Sequence, residues 1–258
     1  MTFLIFSTNL LATSGGLKFA FDHSTLPGKM VLLALFVGST CSWAVMLTKI
    51  SVIRNARRQT GIFLERFRSD RQPLRLYENK ARFDGSPVFT VYKAGCKDLT
   101  FHLLGSAEVD ETFHARLDDA PKIFPAQMRA VSSAMERAVG ETALKLESQM
   151  ILLATAVSGA PFLGLLGTVW GVMDTFGGVA ESGSANLAAM APGVSAALIT
   201  TVTGLLVAIP AMFGYNFLVT SIRSMIVEMD NFAAELSSEF EHKYVDHGTR
   251  PVASTFRK

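Results

Sequence analysis

The stretch that decides the fold reads Ala191-Pro-Gly-Val-Ser-Ala-Ala-Leu-Ile-Thr-Thr-Val-Thr-Gly-Leu-Leu-Val-Ala-Ile-Pro210, within a segment, residues 182–222, that has no Asp, Glu, Lys or Arg. A helix rises about 1.5 Å per residue, so about 20 apolar residues cross a hydrocarbon core of about 30 Å. A charge at mid-bilayer costs on the order of 3 kcal/mol. The stretch therefore predicts a membrane-spanning helix over residues 191–222, beginning at Pro192 because proline suits a first helical turn.

Two further segments have the same character. Residues 149–173 also lack Asp, Glu, Lys and Arg, and they predict a second span. Residues 27–49 open with the turn signal Pro27-Gly28 and end at Lys49, and they predict the first span. The fold class is therefore an all-α membrane protein with three transmembrane helices.

The regions outside the spans are charged and favour water. Residues 50–148 mix basic and acidic side chains throughout, and a helical C-terminal region with a tail occupies residues 223–258. Apolar residues recur at helical spacing on both sides of the membrane segments. The positions are Met128, Val131, Met135, Thr142 and Leu146 before the second span, and Met225, Met229, Phe232, Leu236, Phe240 and Tyr244 after the third. These stripes predict that spans two and three continue beyond the membrane as long helices that pack in a core. Prolines and glycines between residues 72 and 125 indicate short helices and turns.

Basic residues determine the predicted orientation, because Lys and Arg favour the cytoplasmic side of a membrane. The link at residues 174–190 has none. The segment after span one has many: Lys49, Arg54, Arg57, Arg58, Arg66, Arg68 and Arg71. Residues 50–148 and the C-terminus are therefore predicted to be cytoplasmic, and the link and residues 1–26 periplasmic. Within the latter, Met1–Gly16 is apolar and lacks a basic start, which favours an interfacial helix over a cleaved signal or a fourth span.

Small residues mark one face of each of the last two spans. In span two they are Ala160, Gly164 and Thr168, with Gly167 and Gly171 beside them. In span three they are Ala196, Thr200, Gly204 and Ala208. Such faces let two helix backbones approach closely. Packing of spans two and three against each other explains one such face on each helix.

Hydroxyl side chains are more numerous in these spans than packing requires. They are Thr168 in span two, and Ser195, Thr200, Thr201 and Thr203 in span three. A single threonine in a membrane helix is often satisfied by the carbonyl one turn back. A cluster favours a second interpretation, namely a polar path for protons. No Asp, Glu or His lies within any span, so the chain itself lacks a titratable relay.

Several classes of function are not indicated. The net charge is only +2, and basic residues alternate with acidic ones, which argues against a nucleic-acid partner. Cys41, Cys96 and the five histidines show no disulfide or metal spacing. The chain has no P-loop, dinucleotide fingerprint or nucleophile elbow. We therefore expect no cofactor, no metal site and no enzyme activity.

Two long motifs resemble the TolQ/ExbB family, which is also related to the flagellar stator protein MotA. Pro161-Phe-Leu-Gly-Leu-Leu-Gly-Thr-Val-Trp-Gly-Val-Met173 is similar to the second-span signature, and the run at 191–210, followed by Tyr215-Asn216, is similar to the third. Ser42-Trp43 and Asp230-Asn231-Phe232 also lie where TolQ-like chains have similar residues.

The resemblance implies a ring-forming subunit of the bacterial inner membrane. In the family, a pentamer encloses a dimer of a single-span partner of the TolR or ExbD type, and proton flow drives their relative movement. Family pore threonines correspond to Thr168 and Thr201. Many relatives have glutamate where this chain has Ala196, which leaves the membrane carboxylate of the partner as the proton carrier.

Other interpretations remain open at this stage. The chain could be a non-conducting scaffold for envelope or protein-transport complexes, which would tolerate the loss of Thr168 and Thr201. A membrane enzyme would need a His, Asp or Cys cluster near a membrane face. A MotA-type stator would be expected to have four spans. The output, whether receptor energisation, envelope constriction or gliding, would be set by the partner.

Overall fold

The three long apolar stretches lie in the three longest helices. A computed structural model describes residues 25–70, 72–110, 112–183 and 186–246. These residues form seven helices and one isolated parallel bridge between Ile123 and Val245. The helices are α1 Leu26–Ser69, α2 Arg75–Glu78, α3 Pro87–Leu104, α4 Phe113–Asp118, α5 Pro125–Glu147, α6 Met150–Ser182 and α7 Leu187–Tyr244. The all-α prediction is confirmed, and the predicted interfacial helix at Met1–Gly16 lies outside the described residues.

Helices α1, α6 and α7 are long and apolar enough to cross a membrane. In the most apolar 18-residue stretch of each helix, only 11%, 28% and 33% of the residues, respectively, are buried within the chain. So much exposed apolar surface is unfavourable in water and favourable in lipid. The prediction of three transmembrane helices is confirmed.

The third spanning helix begins earlier than the sequence indicates. Pro192 does not start α7, which begins at Leu187. Asn186 explains the difference, because its side-chain Oδ1 accepts a hydrogen bond from the Ala188 N–H at 3.0 Å and so caps the helix. At the start of the predicted link, α6 continues to Ser182, and Gly183 ends the helix with φ +65°. Most of the predicted link is therefore helical.

The second spanning helix does not continue as one long helix. Helix α5 ends at Glu147 and α6 begins at Met150. Between them Ser148 is extended and Gln149 has φ +66°, in the left-handed region. The prediction of a continuous helix is wrong here, whereas α7 runs unbroken from its span to Tyr244 as predicted.

The described residues divide into two units. The membrane unit contains the chain up to Lys49 together with Gln149–Leu218. The extramembrane unit contains Ile50–Ser148 and the chain from Val219 onward. The long helices α1 and α7 contribute to both units.

An aromatic cluster forms the core of the extramembrane unit. Phe63 is fully buried, and its ring centroid lies 5.3–5.5 Å from those of Phe83, Phe89, Tyr92 and Phe232. Most of these rings meet edge to face or tilted, arrangements that aromatic pairs favour. The predicted stripes on α5 and α7 are buried here, except for Tyr244, which is half-buried.

Tyr92 also joins two segments of this unit. Its hydroxyl donates to the Pro73 carbonyl oxygen at 2.8 Å and accepts from the Tyr77 backbone N–H at 2.9 Å. Burial raises the pKa of this hydroxyl and also that of the neighbouring Cys96 thiol. Both groups stay protonated, so the thiol is an unreactive core group.

Helix α3 is longer than the short helices expected in this region. Its 18 residues begin at Pro87, after Ser86 whose hydroxyl accepts from the Phe89 N–H at 3.1 Å, and end before Gly105 at φ +71°. Proline and glycine at these places are helix-end signals. The prediction of only short helices and turns is therefore wrong for residues 87–104.

Candidate functional site

Helices α6 and α7 approach each other closely because glycines remove side chains from their contact. A methyl group on Gly164 would lie 2.9 Å from the Thr200 carbonyl oxygen and 3.0 Å from the Thr201 Cα. A methyl group on Gly204 would lie 2.5 Å from the Ala160 carbonyl oxygen. These distances are shorter than van der Waals contact, so the two backbones touch and only glycine fits.

The same contact continues along α6. A methyl group on Gly167 would lie 2.6 Å from the Thr200 Oγ1, and one on Gly171 would lie 2.7 Å from the Ala197 Cβ. Side chains of α7 therefore occupy the space that a side chain at Gly167 or Gly171 of α6 would need. The small residues predicted on the two spans form one continuous helix–helix contact.

Two other predicted packing residues lie beside this contact. Ala208 is buried in a cluster with Ala160 of α6 and with Val31 and Leu35 of α1. Ala196 is 3% exposed, one turn before Thr200 on α7. Both small residues therefore contribute to the packing of the membrane unit.

Three hydroxyl groups converge on one backbone carbonyl. The Oγ1 atoms of Thr168, Thr200 and Thr201 lie 3.0, 3.0 and 3.1 Å from the Gly164 carbonyl oxygen. The Thr168 hydroxyl is also 3.4 Å from that of Thr200 and hydrogen-bonded to that of Thr201. We refer to Thr168, Thr200 and Thr201 as the hydroxyl cluster.

The carbonyl cannot satisfy every donor at once. A carbonyl oxygen has two lone pairs, and in a helix the Gly164 carbonyl also accepts the N–H four residues on. The hydroxyl protons must therefore be distributed among several acceptors, including the Ala197 carbonyl oxygen, which lies 2.7 Å from Thr200 Oγ1. Each hydroxyl has a neighbour to which it can donate and one from which it can accept. This geometry is that of a short chain of reorientable hydrogen bonds.

Comparison with known proteins assigns the chain to a family. Residues 106–231 match the model of the MotA/TolQ/ExbB proton channel family. The Tol-Pal system protein TolQ of Pseudomonas aeruginosa is 33% identical over 225 residues, which cover 86% of this chain and 91% of that protein. The biopolymer transport protein ExbB of Salmonella typhimurium is 28% identical over 228 residues, covering 88% and 87%. The chain belongs to the MotA/TolQ/ExbB proton channel family.

A third relative has higher identity over a shorter region. The biopolymer transport protein ExbB of Xanthomonas campestris is 46% identical over 110 residues, or 43% of this chain and 44% of that protein. The resemblance found in the sequence motifs is thus confirmed for this TolQ/ExbB family member.

Two hydroxyls predicted for the path in this TolQ/ExbB family member lie apart from the cluster. Thr203 donates to the Ile199 carbonyl oxygen at 2.8 Å, the intrahelical bond expected of a structural threonine. Ser195 is exposed on α7. The structure therefore brings together Thr168, Thr200 and Thr201, but not Ser195 or Thr203.

The cluster has an exposed side and a buried side. Thr200 is 1% exposed, whereas Thr168 and Thr201 are half-buried at the surface of the membrane unit. Helices α6 and α7 carry no Asp, Glu, His, Lys or Arg from Met150 to Met173 or from Leu187 to Ile222. Among the described residues, no group of His, Cys, Asp and Glu is placed to hold a metal ion. The polar groups of this part of the site are hydroxyls and backbone carbonyls.

The Gly164 carbonyl is the centre of the site, although the sequence pattern does not indicate it. Gly164 was assigned to helix packing alone. Its carbonyl is accessible to α7 because neither Gly164 nor Gly204 has a side chain to hold the helices apart. The small-residue pattern was therefore also the signal for a shared backbone acceptor.

Proposed function

We propose that this chain is the channel subunit of an inner-membrane complex that uses the proton-motive force to do work at the cell envelope, and that the hydroxyl cluster is its part of the proton path. The observation that supports this function best is the meeting of three hydroxyls at the Gly164 carbonyl oxygen. Membership of a proton channel family and the similarity to TolQ and ExbB point the same way.

The chemistry of the cluster suits the orientation of water and protons rather than their storage. A threonine hydroxyl donates one proton and accepts at two lone pairs, but it does not titrate near neutral pH. A proton that crosses the membrane also needs a group that can carry it in neutral form, because a bare charge in an apolar site costs several kcal/mol. We propose that a carboxylate on a partner's membrane helix is that group, passing Thr168 and Thr201 at their exposed side.

The proposed assembly is a ring of identical chains, a pentamer, around a single-span partner of the TolR or ExbD type. The three spans leave most of their apolar surface exposed within one chain, which provides area for both lipid and neighbouring helices. Protons are the transported ion, and the proposed function needs neither a cofactor nor an enzymatic step. A non-conducting scaffold is the alternative, and the substitutions below distinguish the two.

The first prediction concerns the two half-buried threonines. Thr168→Val and Thr201→Val should each abolish proton-dependent activity and leave assembly intact, because the near-isosteric methyl group removes only a hydroxyl from the cluster. Thr203→Val is the matched control, since among the described residues this hydroxyl bonds only to the Ile199 carbonyl oxygen of its own helix. Activity is measured by complementation of a strain that lacks the chain, and assembly by copurification of the partner. Full activity of both test variants would favour the scaffold.

The second prediction concerns the proposed orientation, with the 174–190 link outside and the region after span one inside. Ser182 and Ser69 form a matched pair, because both are exposed and both hydroxyls bond the carbonyl three residues back. In a Cys41→Ala background, Ser182→Cys should react with an impermeant thiol reagent in intact cells with a permeabilised outer membrane. Ser69→Cys should react only after the inner membrane is opened. The reverse pattern would contradict the orientation.

A further inference from the structure

A small cavity lies in the membrane unit between the start of α1 and the contact of α6 with α7. Its volume is about 20 Å³, and its lining includes Thr25, Thr175, Ala196 and Thr200. A single water molecule needs about 10–15 Å³ of such volume and two to four polar partners. The cavity therefore has room for one water molecule and no more.

One hydroxyl at this cavity lacks a partner among the described residues. The Thr25 Oγ1 is buried and makes no hydrogen bond there. Thr25 precedes the first residue of α1, a position where a threonine hydroxyl ordinarily accepts a backbone N–H from the second or third helical residue. The second residue is Pro27, which has no N–H. The hydroxyl thus lacks one of its usual partners and lines the cavity instead.

The two other hydroxyls can complete the coordination of a water molecule. Thr175 already donates to the Gly171 carbonyl oxygen at 2.7 Å, and Thr200 has acceptors in the Gly164 and Ala197 carbonyl oxygens. Their own protons are used, but their oxygen lone pairs can still accept. A water molecule can therefore receive the Thr25 proton and donate to Thr175 and Thr200, which makes three hydrogen bonds.

We infer that this cavity is an internal binding site for one water molecule, held by Thr25, Thr175 and Thr200. The site depends on the small side chain of Ala196, because a longer residue there would fill the cavity. Thr200 belongs both to this site and to the hydroxyl cluster. The water thus extends the cluster towards Thr25 at the start of α1, and this extension, unlike the site itself, rests on the proposed function.

The test uses the sign of a stability change. A buried donor left without a partner is costly, and its replacement by a methyl group is neutral or stabilising. If water is bound, Thr25→Val should lower the melting temperature of the purified complex by about 2–4 °C, whereas Thr25→Ser, which keeps the hydroxyl, should change it little. Thr40→Val is the control on α1, because the Thr40 hydroxyl is exposed and bonded to the Phe36 carbonyl oxygen. An unchanged or raised melting temperature for Thr25→Val, relative to this control, would overturn the water site.

A density map of the complex at a resolution that shows ordered water gives an independent readout. A peak within hydrogen-bond distance of the three hydroxyls would support the site, and its absence would overturn it.

Proton flux through the Thr25→Val complex tests only the proposed extension of the hydroxyl cluster towards Thr25. Normal flux with lowered stability would remove the extension and retain the water site. Failure of the Thr168 and Thr201 predictions would overturn the proposed function without altering the stability result.

Discussion

At the scale of single residues, Gln149 is one of two non-glycine residues in the described part of the chain whose φ is positive. Its φ of +66° lies in the left-handed region, where an L-residue other than glycine costs roughly 1–2 kcal/mol. The conformation ends α5 and allows α6 to begin at Met150. The strain at Gln149 is therefore the energetic cost of ending α5 and starting α6 as a separate helix.

This geometry predicts that Gln149→Gly stabilises the protein. Glycine adopts a positive φ without a steric penalty, so the free energy of unfolding should rise by about 1 kcal/mol and the melting temperature by about 2–4 °C. Glu136→Gly is the control, an exposed position inside α5 where glycine should lower stability. The measurement is thermal unfolding of the purified complex. A decrease for Gln149→Gly of the same size as for Glu136→Gly would indicate a continuous helix instead of a break.

At the scale of helices, the sequence predicts those features that depend on where charged residues are absent and on how apolar or small residues are spaced. The spans are identifiable because a long helix in lipid excludes charge. The core stripe from Met225 to Phe240 is identifiable because burial on one side of a helix imposes a period of about 3.6 residues. The small faces of α6 and α7 are identifiable because close backbones require glycine and alanine.

Helix ends and breaks were less predictable because they depend on single local bonds. The start of α7 follows from the cap at Asn186 and not from Pro192. The break at Gln149 has no glycine or proline to announce it. The pattern of residue types along the chain does not determine which side chain caps a helix or which residue adopts a left-handed conformation.

The candidate site was predictable in composition but not in geometry. The sequence placed Thr200, Thr201 and Thr203 together on one helix, yet only the first two contact Thr168 across the α6–α7 contact. Which threonines meet depends on the rotation of α7 about its axis and on how far it slides along α6. Both are fixed by the fit of Gly164 against Gly204, a pairing between residues distant in the sequence.

At the scale of the whole molecule, the last two spans contribute hydroxyl groups to the site but no side chain that can carry a proton as a titratable acid or base. Its last two spans have hydroxyls and carbonyls but no Asp, Glu, His, Lys or Arg between Leu187 and Ile222 or between Met150 and Met173. Ala196, buried one turn before Thr200, adds no ionisable group to these spans. We therefore propose a division of labour, in which this chain orients water and protons and its partner carries them.

The decay of a pH gradient across liposomes tests this division of labour most directly. Three preparations are compared: the purified chain alone, the copurified complex, and the complex in which the partner's membrane acid is replaced by its amide. The chain alone should form a closed oligomer that does not conduct protons, because hydroxyls do not titrate and an apolar axis opposes a bare charge. The complex should conduct, and the amide variant should not. Rapid proton flux through the chain alone, or unimpaired flux through the amide variant, would contradict this division of labour.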